Sequence, residues 1–156
     1  MGELRYKDLG AFFPMYREDN VRSDLANWKK FTAVACVNDG GGAGTADEIG
    51  ILVAPHRMML TAAYVVAVDN AVAAAAASVG WTINVRTAGG AARIAATRNT
   101  TVDSMVQYVP FVLVVSATVT DTIIERGDLV YLSMTKAAGR VVVNEAQVSL
   151  SLKAVL

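Results

Sequence analysis

Ala146-Gln-Val-Ser-Leu-Ser-Leu-Lys-Ala154 alternates apolar and polar side chains without a break. Residues 146, 148, 150, 152 and 154 form one row, and Gln147, Ser149, Ser151 and Lys153 form the other. That period of two is the mark of a strand with one face in a core and one toward solvent. Upstream, the same grammar repeats. Leu129–Thr135 reads as a strand opened by a Glu125-Arg-Gly-Asp128 turn. Gly80–Thr87 is another, with Trp81, Ile83 and Val85 facing in and Thr82, Asn84 and Arg86 facing out. Gly89-Gly90 then turns the chain so that Ala91–Thr97 returns as a hairpin partner.

The remaining stretches fit the same plan. Lys30–Val37 and Glu48–Ala54 are short strands, and Met58–Val68 is apolar on both faces, as in a sandwich core. Ala71–Ala77 is a compact, alanine-rich connection with room for one helical turn. Ser104–Thr120 holds one or two strands with Pro110 at a bulge or edge, and Asp121–Ile124 continues the pairing. Arg140–Leu156 supplies the last one or two. About eight strands at spacings of roughly 10–15 residues, with no alternating βαβ units, predict an all-β fold. The expected architecture is an antiparallel β-sandwich, jelly-roll-like, in a single domain over residues 31–156.

Residues 1–30 break the pattern. They hold more than a third of the charged residues and about half of the aromatics, at no helical or strand period. Glu3–Phe13 could form a short helix ended by Pro14, and Ser23 could cap a further turn. Two readings are open for this arm: it packs back on its own body, or it lies on a neighbouring subunit or a different protein. Tyr6, Phe12, Phe13, Pro14, Tyr16 and Trp28 are the candidate interface residues, because aromatics bury much area at little entropic cost.

Composition narrows the function. The chain has 156 residues, 54% of them hydrophobic and only 18% charged. Averages for soluble domains are about 45–50% and 25%, so surface is expected to be buried on a partner or a second copy. Formal net charge is zero, which argues against nucleic acid as a partner. No apolar stretch reaches the roughly 18 residues of a membrane helix, and the first residues lack a secretory h-region, so no membrane association is expected. Cys36 is the one cysteine and reads as a small buried hydrophobe.

No chemistry is expected. Asn38-Asp-Gly-Gly-Gly-Ala-Gly44 is glycine-rich but lacks the Gly-Lys-Ser/Thr and helix of a phosphate loop. His56 is the lone histidine, in a turn beside Pro55. One Cys, one His and scattered carboxylates show no metal-ligand spacing, so no metal and no cofactor are expected. Asp47-Glu48, Glu125 and Asp128 are the carboxylates that could meet as a catalytic pair, though their spacing does not require it. Arg126-Gly127-Asp128 spells an adhesion tripeptide, but a turn with Gly127 at its bend and Asp128 as acceptor explains it.

The stretch from Ile51 to Val155 resembles the small head decoration, or cement, proteins of tailed bacteriophages. The resembling pieces are Ile51-Leu-Val-Ala-Pro55 leading into Leu60-Thr-Ala-Ala-Tyr-Val-Val66, then the small-residue segment Asp69–Val79 and Gly80-Trp-Thr-Ile-Asn-Val-Arg-Thr87. Glu125-Arg-Gly-Asp-Leu-Val-Tyr-Leu132 and the final strand Val141–Ala154 complete the pattern, which covers about two thirds of the chain. The arm and the Gly40–Gly44 loop depart from it. The resemblance implies a β-rich virion protein, without enzymatic activity, added to the exterior of a capsid, often as a trimer between capsomers. Its partners would be the major capsid protein and further copies of itself. The alternatives are another phage structural part, such as a tail or head-completion protein, and a carbohydrate-binding jelly-roll module. For the last, Trp81, Tyr64, Tyr108, Phe111 and Tyr131 are the candidate aromatics, and most sit in strand patterns that suggest core.

Overall fold

A computed structural model of the chain describes residues 31–32, 46–137, 143 and 145–155. Among these, nine strands follow in order: β1 (Phe31–Thr32), β2 (Ala46–Val53), β3 (Met58–Ala67), β4 (Val79–Arg86), β5 (Ala92–Asn99), β6 (Phe111–Val115), β7 (Ile123–Ile124), β8 (Leu129–Lys136) and β9 (Ala146–Ala154). The strands are linked as β1-β9-β3-β6-β5-β4-β8-β2, with β7 paired to β3. All strand pairings are antiparallel. The protein is thus the all-β, jelly-roll-like sandwich that its periodicity predicts.

The two halves of this sheet meet at a narrow seam. β5 and β6 share only the pairs Ala96↔Val115 and Thr97↔Val114. There the sheet curls, and the β1-β9-β3-β6 half packs its inner face on the β5-β4-β8-β2 half around one core. The connections β2 to β3, β3 to β4, β7 to β8 and β8 to β9 all pass between halves.

β9 shows why the sequence folds this way. Ala146, Val148, Leu150, Leu152 and Ala154 are buried, and Gln147 and Lys153 are exposed. Opposite them across the core, Val79, Trp81, Ile83 and Val85 of β4 are fully buried. Their partners on β8 are Met134, Leu132 and Val130, with Lys136 beside Val79. The hairpin β4–β5 closes through Gly90 N–H donating to Thr87 O at 3.0 Å, with Gly89 at φ 73°.

Three details differ from the sequence expectation. In β3 the buried row changes phase: Met58 and Leu60 are buried, then Ala63, Val65 and Ala67. The cause is a bulge between Leu60 and Ala62, where Thr61 Oγ1 donates to Ser151 O at 3.0 Å. Asn84, expected to face solvent, is buried between Tyr131 and Ile94 in register. Val119–Thr122 is a four-residue helix, α1, and only Ile123–Ile124 pairs as a strand. Of the one or two strands expected over 104–120, one forms, Phe111–Val115, with Ser104–Val109 as loop and Pro110 directly before it. The alanine-rich connection does contain one tight turn, Ala75–Ala77.

Candidate functional site

The six arm residues expected to make an interface, Tyr6, Phe12, Phe13, Pro14, Tyr16 and Trp28, lie outside the described residues. So does Cys36, and so does the Gly40–Gly44 loop. The surface available to build a site is therefore that of the β-body.

Its carboxylates do not converge. Glu48 is opposite Ser133 on β8, whereas Glu125 and Asp128 sit in the turn before Leu129. Five residues of chain, about 17 Å when extended, separate Ser133 from Asp128. Glu125 instead pairs with Arg57 at 3.1 Å. Among the described residues, no group of three or more His, Cys, Asp or Glu side chains could hold a metal ion. No helix among them is long and apolar enough to cross a membrane. His56 is half-buried in the turn between β2 and β3.

The Arg126-Gly127-Asp128 tripeptide is a structural turn. Asp128 N–H donates to Glu125 O at 3.0 Å, and Gly127 at φ 90° takes the left-handed position that such a turn demands. The Asp128 carboxylate is buried: its Oδ2 accepts from Glu125 N–H at 3.0 Å and from Arg93 Nη2 at 2.9 Å. The same Arg93 nitrogen donates to Ile123 O. The turn is further tied to Ala54, directly after β2, by Gly127 N–H to Ala54 O and Ala54 N–H to Asp128 O, at 2.8 and 2.9 Å. An aspartate committed in this way is not offered to a receptor.

The other end of the body exposes a cluster of apolar residues on one loop. The β5–β6 loop is fastened to the segment after β3. Ala71 and Met105 exchange both backbone hydrogen bonds, at 2.9 and 2.8 Å, and the Met105 side chain is buried. Gln107 N–H donates to Asn70 Oδ1, Ala73 N–H to Ser104 Oγ, and Ala74 N–H to Thr100 O. Arg98 reaches back from β5 to Asp103 at 2.9 Å and to Val112 O at 2.8 Å, lying over the Phe111 ring. This loop is held like a piece of the sheet, yet it displays Val102, Val106, Tyr108 and Val109 to solvent.

Tyr108 is the unusual residue in it. It occupies the third position of the turn Val106–Val109, closed by Val109 N–H to Val106 O at 3.0 Å, and its own N–H donates to Ala67 O at 2.9 Å. Its φ is 60°, the left-handed region that glycine or asparagine normally fills. An L-residue there costs about 1–2 kcal/mol. The side chain offsets none of this by burial, since it is 68% exposed. Strain retained at a solvent-facing aromatic points to a role outside folding. The apolar surface continues onto the outer face of β6 through Val112 and Val114, both exposed.

Of the aromatics considered for sugar binding, Trp81, Phe111 and Tyr131 are buried and Tyr64 is half-buried. Tyr131 is held by Arg86, which donates to its hydroxyl at 3.2 Å and lies over its ring. Tyr108 alone of the five projects. Sequence reading missed it as an anchor because Val106-Gln-Tyr-Val-Pro110 carries no period; the usable signal was a cluster of apolar residues in a turn before a proline.

No family model matches the chain, and no curated protein does either. Among solved structures, a chain in the structure of infectious bursal disease virus Gx strain aligns with TM-score 0.36 and 15% identity, covering 80% of this chain and 31% of that one. A chain in the structure of the Gt strain aligns with TM-score 0.31 and 9% identity, covering 79% and 29%. Both neighbours are viral, and this chain spans less than a third of the length of each. Superpositions this loose carry no inference about its role.

Proposed function

We propose that the chain is a structural virion protein, not an enzyme, that binds the outer surface of a phage capsid as an oligomer and bridges capsomers. The observation that carries this reading is the apolar surface around Tyr108, held in place by backbone hydrogen bonds on the β-sandwich. Pre-ordered exposed apolar surface favours association, because little entropy is lost on docking. The resemblance of residues 51–155 to head decoration proteins supplies the partner, the major capsid protein, and the expected trimer. In this reading the aromatic arm, through Phe12, Phe13, Tyr16 and Trp28, makes the capsid contact. The body self-associates, and many weak attachments add through multivalency. Such a protein stabilises the shell because it binds the assembled lattice in preference to free subunits.

The test is co-sedimentation of purified protein with mature heads that lack it. Saturation at a fixed copy number per shell is expected. An absence of binding would move the assignment to a tail or head-completion component. The carbohydrate-binding alternative draws little support, since most of its candidate aromatics are buried.

A further inference from the structure

The face around Tyr108 has a geometry that selects its occupant. A groove of about 310 Å³, lined by Val66, Ala67 and Val68 at the end of β3 and by Ala146, Gln147 and the charged Glu145 at the start of β9, opens beside this turn, and Tyr108 itself lines one side of it. An apolar knob and a groove side by side on one surface are self-complementary: rotating one copy onto another brings each knob to the other's groove.

The amount of surface agrees. Tyr108, Val106, Val109, Val112 and Val114 are each about half exposed or more. Taking roughly 60–120 Å² for a whole aliphatic side chain and about 150 Å² for tyrosine, they offer on the order of 300 Å² of apolar area. One side of an interface at the small end of the specific range buries about 600 Å², a little over half of it apolar. Net charge does not oppose the contact. The formal net charge is zero, so copies do not repel at long range, and Arg98 and Asp103 beside the face are paired with each other.

We propose that this face is covered by a second copy of the chain, with Tyr108 of one copy seated in the groove at residues 66–68 and 145–147 of the next. Reciprocal seating closes a two-fold dimer, and head-to-tail seating closes a ring such as a trimer. The assignment deepens the self-association part of the proposed function and rests on the same surface.

The experiment is sedimentation equilibrium of the full chain beside Tyr108→Gly and Gln147→Arg. Glycine accepts the positive φ freely, so Tyr108→Gly removes the knob while relieving the turn. Gln147 is exposed on β9, so Gln147→Arg puts a charge into the groove without touching the core. The full chain is expected to be oligomeric at micromolar concentration. Both variants should weaken association at least tenfold, with circular dichroism and dilute-solution Tm retained or raised. A full chain that stays monomeric to about 100 μM, where only contacts weaker than roughly −5.5 kcal/mol go unseen, overturns the proposal. So does an oligomer that neither variant weakens. Head co-sedimentation is scored separately: a monomer that still saturates shells refutes the second-copy assignment and leaves the decoration function standing.

Discussion

Replacing Asp128 by alanine tests whether the Arg-Gly-Asp turn is structural. Two donors lose their acceptor, Arg93 Nη2 at 2.9 Å and Glu125 N–H at 3.0 Å. A hydrogen bond to a charged group is worth about 1.5–3 kcal/mol. Breaking a buried ion pair by removing one partner costs about 3–5 kcal/mol. Asp128 is 5% exposed, but Arg93 is 25% exposed and keeps its bond to Ile123 O, so water recovers part of the loss. The expected cost is therefore about 3 kcal/mol, at the low end of that range. For a chain of this size that corresponds to a fall in Tm of roughly 6–12 °C. Asp128→Asn retains an acceptor for Glu125 N–H and loses only the charge, so it should cost about half as much. Urea denaturation followed by circular dichroism, with unchanged m-values, reads both. An Ala variant within about 1 kcal/mol of the parent, the range of exposed ion pairs, would refute the reasoning and return the tripeptide to the surface.

Three further outcomes are expected. Deleting residues 1–29 should leave a cooperatively folding body that co-sediments poorly with heads; loss of the cooperative transition would instead show that the arm packs on its own body. Trp81→Ala, at a fully buried position facing Met134 in register, should cost about 3–5 kcal/mol in chemical denaturation; a loss below about 1 kcal/mol would contradict its place in the core. Burial lowers the Lys136 pKa below its ordinary value of 10.5. The unfolded chain then binds more protons between the lowered folded value and 10.5, so stability should rise with pH across that window. Lys136→Met should remove that rise, which thermal melts across an alkaline pH series would detect.

The sequence by itself determined the strands whose two faces differ. β9 is legible to the residue, because its buried row and its Gln, Ser and Lys row never break phase. The inward set of β4, Trp81, Ile83 and Val85, is equally plain. The turns at Gly89 and Gly127 follow from glycine's tolerance of positive φ. These features are local, so composition and period carry them.

Tertiary structure decided the rest. The bulge in β3 depends on how Thr61 meets Ser151, ninety residues away. Asn84 is buried by its cross-strand neighbours and not by its own pattern. The curl of the sheet at the two-pair β5–β6 seam is a matter of strand order, which no single strand encodes. The same holds for the candidate surface. Val106-Gln-Tyr-Val-Pro110 has no periodicity to read, and Tyr108 becomes conspicuous only when hydrogen bonds from Asn70 and Ala67 fix its turn and leave its ring in water. Exposure is a property of what the rest of the chain fails to cover, and that is settled only when distant segments have packed.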